Sequence, residues 1–133
     1  MASRKDALRS GPLWSKTLAV AAVAELGTGL ALVTVPSLVG QLLFGQSLTG
    51  VAGEVARFAG LALVSLGIAC WPGRSPSATA LVGMWIYSLL TALYLAYLGL
   101  SSARSGALLW PAVAVHLTLA VLLGRQGLAS RPG

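Results

Sequence analysis

The sequence predicts an all-α membrane protein, a bundle of four transmembrane helices with a short interfacial helix after the first span. Only 9% of its 133 residues are charged, whereas 56% are hydrophobic, and the mean hydropathy is +0.84. A soluble domain carries roughly 25% charged residues because it needs a polar surface. This chain has too few charges for such a surface, so lipid is its expected solvent. Its length suits one membrane domain, 1–133.

Four apolar runs are long enough to cross a bilayer. They are Leu13–Val35, Val51–Trp71, Ala78–Leu100 and Ala107–Gly124. At a rise of about 1.5 Å per residue each run spans a hydrocarbon core of about 30 Å, the last one only just. None alternates apolar and polar residues as the strands of a membrane barrel do. We therefore expect each run to be a transmembrane helix.

The connection after the first run, residues 36–50, is uncharged and half apolar. Leu38, Val39, Leu42 and Leu43 would share one face of a helix. Pro36 suits the first turn of that helix, where the missing N–H group costs no hydrogen bond. This pattern predicts a short helix that lies in the membrane interface.

The basic residues predict which end of the bundle faces the cytoplasm. Four spans place both termini and the middle connection on one side, and that side carries Arg4, Lys5, Arg9, Lys16, Arg74, Arg125 and Arg131. The connections on the other side carry only Arg104. The positive-inside rule then predicts that both termini lie inside and that the first and third connections lie outside. The basic residues form no single face and flank no aromatic platform, which argues against a nucleic-acid partner.

Glu25 interrupts the first apolar run near its middle. A carboxylate at that depth costs about 2.5–3.5 kcal/mol on insertion scales, so we expect it to face the bundle interior and to find a partner. The residues one turn away on the same face are small: Ala21, Ala22, Thr28 and Gly29. Small residues mark the faces where membrane helices approach closely.

Arg57, in the second run, is the favoured partner of Glu25. Counted by helical rise, Arg57 lies about 9 Å and Glu25 about 15 Å below the outer boundary, a gap that an arginine can bridge. The face that carries Arg57 also carries three glycines at heptad spacing: Gly53, Gly60 and Gly67. Glu54 is the competing partner, because it precedes Arg57 by three residues on one helix. The sequence leaves open whether Arg57 pairs with Glu25, with Glu54 or with both.

The third and fourth runs bring further polar groups to a similar depth: Tyr87, Thr91, Tyr94 and His116. Together with Glu25 and Arg57 they form a candidate polar cavity, which has the groups of a proton relay or of a site for a polar head group. The simpler interpretation is structural, with the ion pair fixing two helices and His116 forming an interhelical hydrogen bond. With one histidine and one cysteine, Cys70, the chain gives no case for a metal or haem site.

One segment, FGQSLTGVAGEVARFAGLALVSLGIACWPG, resembles a signature of small bacterial four-helix membrane proteins grouped as DoxX-like. The matching positions are Ala56, Arg57 and Gly60, which follow an apolar connection. The layout of four helices, with a helical connection after the first, is similar over the whole chain. The resemblance implies a subunit of a quinol-oxidising membrane complex or a quinone-related role. It transfers no catalytic residue to this chain.

The leading hypothesis is a noncatalytic bacterial inner-membrane protein that acts as an accessory subunit or as a binder of a lipid-like or quinone-like molecule, with membrane lipids as partners. The sequence leaves open whether the chain forms a homo-oligomer or joins a larger membrane complex. The alternative is a small proton-coupled transporter that uses Glu25. Arg57 as a fixed cation and the one-sided charge bias count against it. An enzyme ranks third, since the sequence has no nucleophile–base pair, CxxC, HExxH or phosphate-binding glycine loop.

Overall fold

The computed structural model describes residues 13–73, 77–101 and 105–129, and five α-helices occupy most of these ranges. They are α1 (Leu13–Thr34), α2 (Pro36–Phe44), α3 (Val51–Ala69), α4 (Ala78–Ser101) and α5 (Leu109–Ala129). All of them except α2 are long and apolar enough to cross a bilayer. The predicted all-α fold with four spans is therefore confirmed.

The helices match the predicted spans closely except at the fourth. α5 begins at Leu109 and continues to Ala129, well past Gly124, where the prediction ended it. Pro111 lies in its first turn, where proline is tolerated. A Cβ atom at Gly124 would lie 2.8 Å from Nε1 of Trp85 in α4. Gly124 is thus a site of close packing between two helices rather than a helix end.

α1 and α3 pack antiparallel, and their backbones come together at a pair of glycines. A Cβ atom added to Gly29 would lie 2.7 Å from the carbonyl oxygen of Gly60, and one added to Gly60 would lie 2.6 Å from that of Gly29. Small residues permit such close approach between membrane helices. The predicted glycine face of α3 is indeed its contact face, since Gly53, Gly60 and Gly67 are all buried.

α4 and α5 form a second antiparallel pair, which packs on α1 mainly through α5. α4 buries one line of residues: Met84, Ser88, Ala92 and Leu95. α1 contributes Leu18 and Ala21 to a core with Met84, Leu119 and Leu123. α3 touches mostly α1, so its apolar side chains, such as Phe58 and Ile68, are largely exposed. In a bilayer these exposed apolar faces contact lipid.

The first and third connections lie together at one end of the bundle, here called the α2 end. The backbone N–H groups of Gly106 and Leu108 donate to the carbonyl oxygens of Leu43 and Leu42, at 2.9 and 2.8 Å. These bonds attach the start of α5 to the last turn of α2. The helix α2, which follows α1 in the chain, is thereby hydrogen-bonded to the segment that leads into α5.

At the opposite end, Gln126 of α5 donates a hydrogen bond of 3.1 Å from Nε2 to the Thr17 hydroxyl of α1. Lys16 and Arg125 are the neighbours of these two residues in the chain, so two of the basic residues counted above lie at one end. The others in that count, and Arg104, lie outside the described residues.

α2 begins at Pro36, as the sequence predicts. The Ser37 hydroxyl donates to the carbonyl oxygen of Leu48 at 2.9 Å, which folds the rest of the connection back over the helix. The helix ends at Gly45, whose φ of 68° favours glycine because a Cβ atom would be strained there. The segment 36–50 is therefore a helix followed by a tight return to α3.

Candidate functional site

Glu25 lies inside the bundle, with only 2% of its surface exposed. Ala21 and Ala22, one turn before it, are fully buried, and Gly29, one turn after it, touches the backbone of α3. These small residues let the neighbouring helices close around the carboxylate. The expectation that Glu25 faces the interior agrees with this position.

Two polar side chains from other helices meet the Glu25 carboxylate. The Tyr87 phenol of α4 donates a hydrogen bond to Oε2 at 2.9 Å. Nε2 of His116, in α5, lies 3.4 Å from Oε1. We call Glu25, Tyr87 and His116 the Glu25 cluster. It joins three spans at one point, and each carboxylate oxygen has its own partner.

The His116 ring is held on its other side by its own helix. Its Nδ1 lies 2.8 Å from the carbonyl oxygen of Ala112. The ring also meets Tyr87 edge-on, with centroids 6.1 Å apart and planes inclined by 64°. The His116 side chain is 16% exposed, compared with 3% for that of Glu25. His116 is therefore the more accessible member of the two.

The three polar residues of α4 that the sequence assigns to the candidate cavity do not all lie together. Thr91, one turn after Tyr87, is half-buried and lies beside the Tyr87 phenol of the Glu25 cluster. Tyr94 is 62% exposed and does not join it. Tyr94 follows Tyr87 by two turns, or roughly 10 Å, and α4 touches α1 only sparsely. The Tyr94 side chain is therefore on an exposed part of α4, away from the contact with α1.

The structure corrects the favoured partner of Arg57. Its Nη1 lies 2.8 Å from Oε1 of Glu54, so the competing local pair is the one that forms. Arg57 is 46% and Glu54 74% exposed in their side chains. Because Gly60 packs on Gly29 in antiparallel helices, Arg57 lies roughly 10 Å along the axis from the level of Glu25. Ala56 is the buried neighbour, and Arg57 is on the flank of the glycine face.

An open cavity of about 520 Å³ lies at the α2 end, between α1, α2 and α3. The Glu54–Arg57 pair forms part of its wall, together with the hydroxyl residues Thr34, Ser37 and Thr49. Its apolar lining comes from Val35, Leu38 and Leu48. We call it the Arg57 cavity. It is separate from the Glu25 cluster, so the single polar cavity expected from the sequence is replaced by two sites.

Two buried groups near the cluster have no role in the sequence-based interpretation. Cys70 is 3% exposed, and its thiol contacts the carbonyl oxygen of Ala80 at 3.7 Å, which links the end of α3 to α4. Ser88 is fully buried, and its hydroxyl has no hydrogen-bond partner within the described part of the chain. Its spacing of four from Met84 and Ala92 was the available signal that it lies on the α5-facing side of α4.

The four spans and the buried carboxylate define the chain as a multi-pass, membrane-embedded helical protein. No protein family, curated protein or solved structure matches it. The likeness to DoxX-like proteins therefore remains a prediction from the sequence.

Proposed function

We propose that this chain is a noncatalytic bacterial inner-membrane protein that binds a lipid-like or quinone-like molecule in the Arg57 cavity. The observation that supports this most is the cavity itself, whose volume of about 520 Å³ falls in the usual range for small-molecule sites. Both termini are proposed to lie in the cytoplasm, because the basic residues are concentrated on that side. The cavity then opens at the outer face.

The lining of the cavity defines the chemistry of the ligand. Arg57 and Glu54 present a positive and a negative group side by side, which suits a zwitterionic or uncharged hydrogen-bonding head rather than a bare anion. Val35, Leu38 and Leu48 provide an apolar wall for the adjoining part of the molecule. An amphiphile from the surrounding bilayer has both features. The proposal is compatible with a role as an accessory subunit of a larger membrane complex, which the DoxX-like resemblance implies.

The test is to purify the protein in native lipid and to identify the molecules that remain bound by mass spectrometry. Val35→Trp fills the cavity and should lower the retained ligand about tenfold, equivalent to about 1.4 kcal/mol. Val55→Trp is the matched control, because Val55 is an exposed valine of α3 that does not line the cavity. Equal retention in both variants, or no specific ligand in the unsubstituted protein, would refute the proposal.

A second candidate function, proton-coupled transport through Glu25, is favoured by one specific observation. Arg57 is bonded to Glu54. It is therefore not the partner of Glu25, which was expected to stay ionised beside it. The carboxyl group instead faces a phenol and an imidazole. An imidazole exchanges protons near neutral pH more readily than a guanidinium does. The main sequence-based objection to transport is thereby removed.

Transport is tested in proteoliposomes with an imposed pH gradient. A panel of lipophilic cations is added, and release of internal protons is followed with a pH-sensitive dye. A transporter should lose this release in Glu25→Gln and keep it in Glu54→Gln, because only Glu25 is buried. Identical traces for both variants and for empty vesicles would remove this candidate.

A further inference from the structure

We infer that Glu25 and His116 together form one proton-binding site that holds a single proton between α1 and α5. This site is separate from the Arg57 cavity and does not depend on any ligand bound there. The inference follows from which groups of the Glu25 cluster can donate and which can only accept. It makes the cluster net neutral at the middle of the membrane.

The tautomer of the His116 ring is set by the hydrogen-bond partner of its Nδ1. Its Nδ1 lies 2.8 Å from the carbonyl oxygen of Ala112, and a carbonyl oxygen only accepts hydrogen bonds. Nδ1 must therefore carry a hydrogen. In the neutral ring, the second nitrogen, Nε2, then has a lone pair and no hydrogen.

The contact between Nε2 and the Glu25 carboxylate requires one further proton. Nε2 faces Oε1 of Glu25 at 3.4 Å. Without a further proton, a lone pair of nitrogen would face a negatively charged oxygen inside the bundle, which is repulsive. One proton makes the contact attractive in either position, as a carboxylic acid donating to Nε2 or as an imidazolium donating to the carboxylate. Two protons would leave a buried imidazolium beside a neutral acid.

The surrounding residues favour the neutral pair. Tyr87, from α4, donates its hydroxyl hydrogen to Oε2 and adds no charge. Cys70, which follows the last residue of α3, directs its thiol to the carbonyl oxygen of Ala80. Arg57 and Glu54, also on α3, are bonded to each other, and α2 contains no titratable residue. An unbalanced charge in this apolar setting is costly, so the state with one proton on the pair and no net charge is the stable one.

Loss of the shared proton changes the contact between two helices. The pair goes from an attractive contact that shares one proton to a carboxylate opposite a bare lone pair, and the proton leaves to water. Without the shared proton, the contact of α1 with α5 should loosen while the bond from Tyr87 to Glu25 persists.

The chain is well suited to counting this proton, because it has one histidine and only two glutamates, Glu25 and Glu54. The protein is labelled with ¹⁵N-histidine and ¹³C-glutamate and studied by NMR in lipid bilayers at neutral pH. The nitrogen shifts report the hydrogens on Nδ1 and Nε2, and the carboxyl shift reports the state of Glu25. We expect Nδ1 to be protonated and one proton to be shared between Nε2 and Glu25.

Two variants separate this result from a general effect. Glu54→Gln should leave the His116 signals unchanged and remove only the other carboxyl signal. Glu25→Gln keeps hydrogen bonds available to both Tyr87 and His116, so it should fold, but the shared proton and its signature should be lost. Two results in the unsubstituted protein would overturn the inference. One is an Nδ1 without a hydrogen, and the other is either no proton or two protons on Nε2 and the Glu25 carboxylate taken together. Neither result alters the ligand test for the Arg57 cavity.

Discussion

The Tyr87 hydroxyl in α4 donates a hydrogen bond of 2.9 Å to Oε2 of Glu25 in α1. Tyr87→Phe removes the donor and leaves a buried carboxylate oxygen without its partner. Such a loss costs about 1–3 kcal/mol. We therefore expect a lower midpoint of thermal unfolding in detergent. Tyr97→Phe is the control, because Tyr97 is 63% exposed, and equal effects of the two substitutions would contradict the assigned bond.

The glycine contact between α1 and α3 gives a second prediction. Gly29→Ala places a methyl group 2.7 Å from the Gly60 carbonyl oxygen, and overpacking of this kind costs about 1–3 kcal/mol. Gly27→Ala, in the same helix, meets nothing within 4 Å and removes a flexible residue, so stability should be equal or higher by up to about 1 kcal/mol. Unfolding in detergent distinguishes the two. If both variants lost stability equally, the close crossing would be wrong.

The separation of Arg57 from Glu25 predicts independent effects. The two residues share no hydrogen bond, since Arg57 bonds to Glu54 and Glu25 to Tyr87. The unfolding free energies of Arg57→Ala and Glu25→Ala should therefore add, within about 0.5 kcal/mol, in the double variant. A double variant more stable than the sum of the single effects would restore the direct ion pair.

These results show which parts of the site the sequence could predict. The periodicity of α1 placed Glu25 on a face of small residues, and the depth of Tyr87 and His116 placed them near it. Residue spacing specifies the depth of a side chain in the membrane and the helix face that carries it, and these two properties bring Glu25, Tyr87 and His116 together. The sequence predicted in the same way that α2 begins at Pro36, because proline has a defined preference for the first turn.

The partner of Arg57 could not be predicted because it depends on how two helices are rotated and shifted against each other. Spacing puts Arg57 beside the glycines of α3, but the rotation of the helix that packs Gly60 on Gly29 buries Ala56 rather than Arg57. Arg57 is then left on the flank, where Glu54 is one turn away. Tyr94 is exposed for a related reason. Residue spacing within α4 does not specify over what length α4 stays in contact with α1.

The proposed orientation predicts which residues an impermeant thiol reagent reaches in intact cells. Cys70 is buried, and burial raises the pKa of its thiol, but Cys70→Ala removes any background. In that protein, Ser47→Cys at the α2 end should react, because the positive-inside rule places this end outside. Tags at the two termini should stay protected. Labelling of either terminus in intact cells, with Ser47→Cys protected, would show that the protein has the opposite orientation.

The most direct test of the central claim is the distance between Glu25 and His116 in a bilayer. Solid-state NMR can measure the dipolar coupling between ¹³C-labelled glutamate carboxyl groups and ¹⁵N-labelled histidine. Since Nε2 of His116 lies 3.4 Å from Oε1 of Glu25, one of the two carboxyl signals should couple to the histidine label, and Glu25→Gln should abolish it. If labelled arginine coupled to Glu25 and labelled histidine did not, the cluster would be wrong and the direct Glu25–Arg57 pair would replace it.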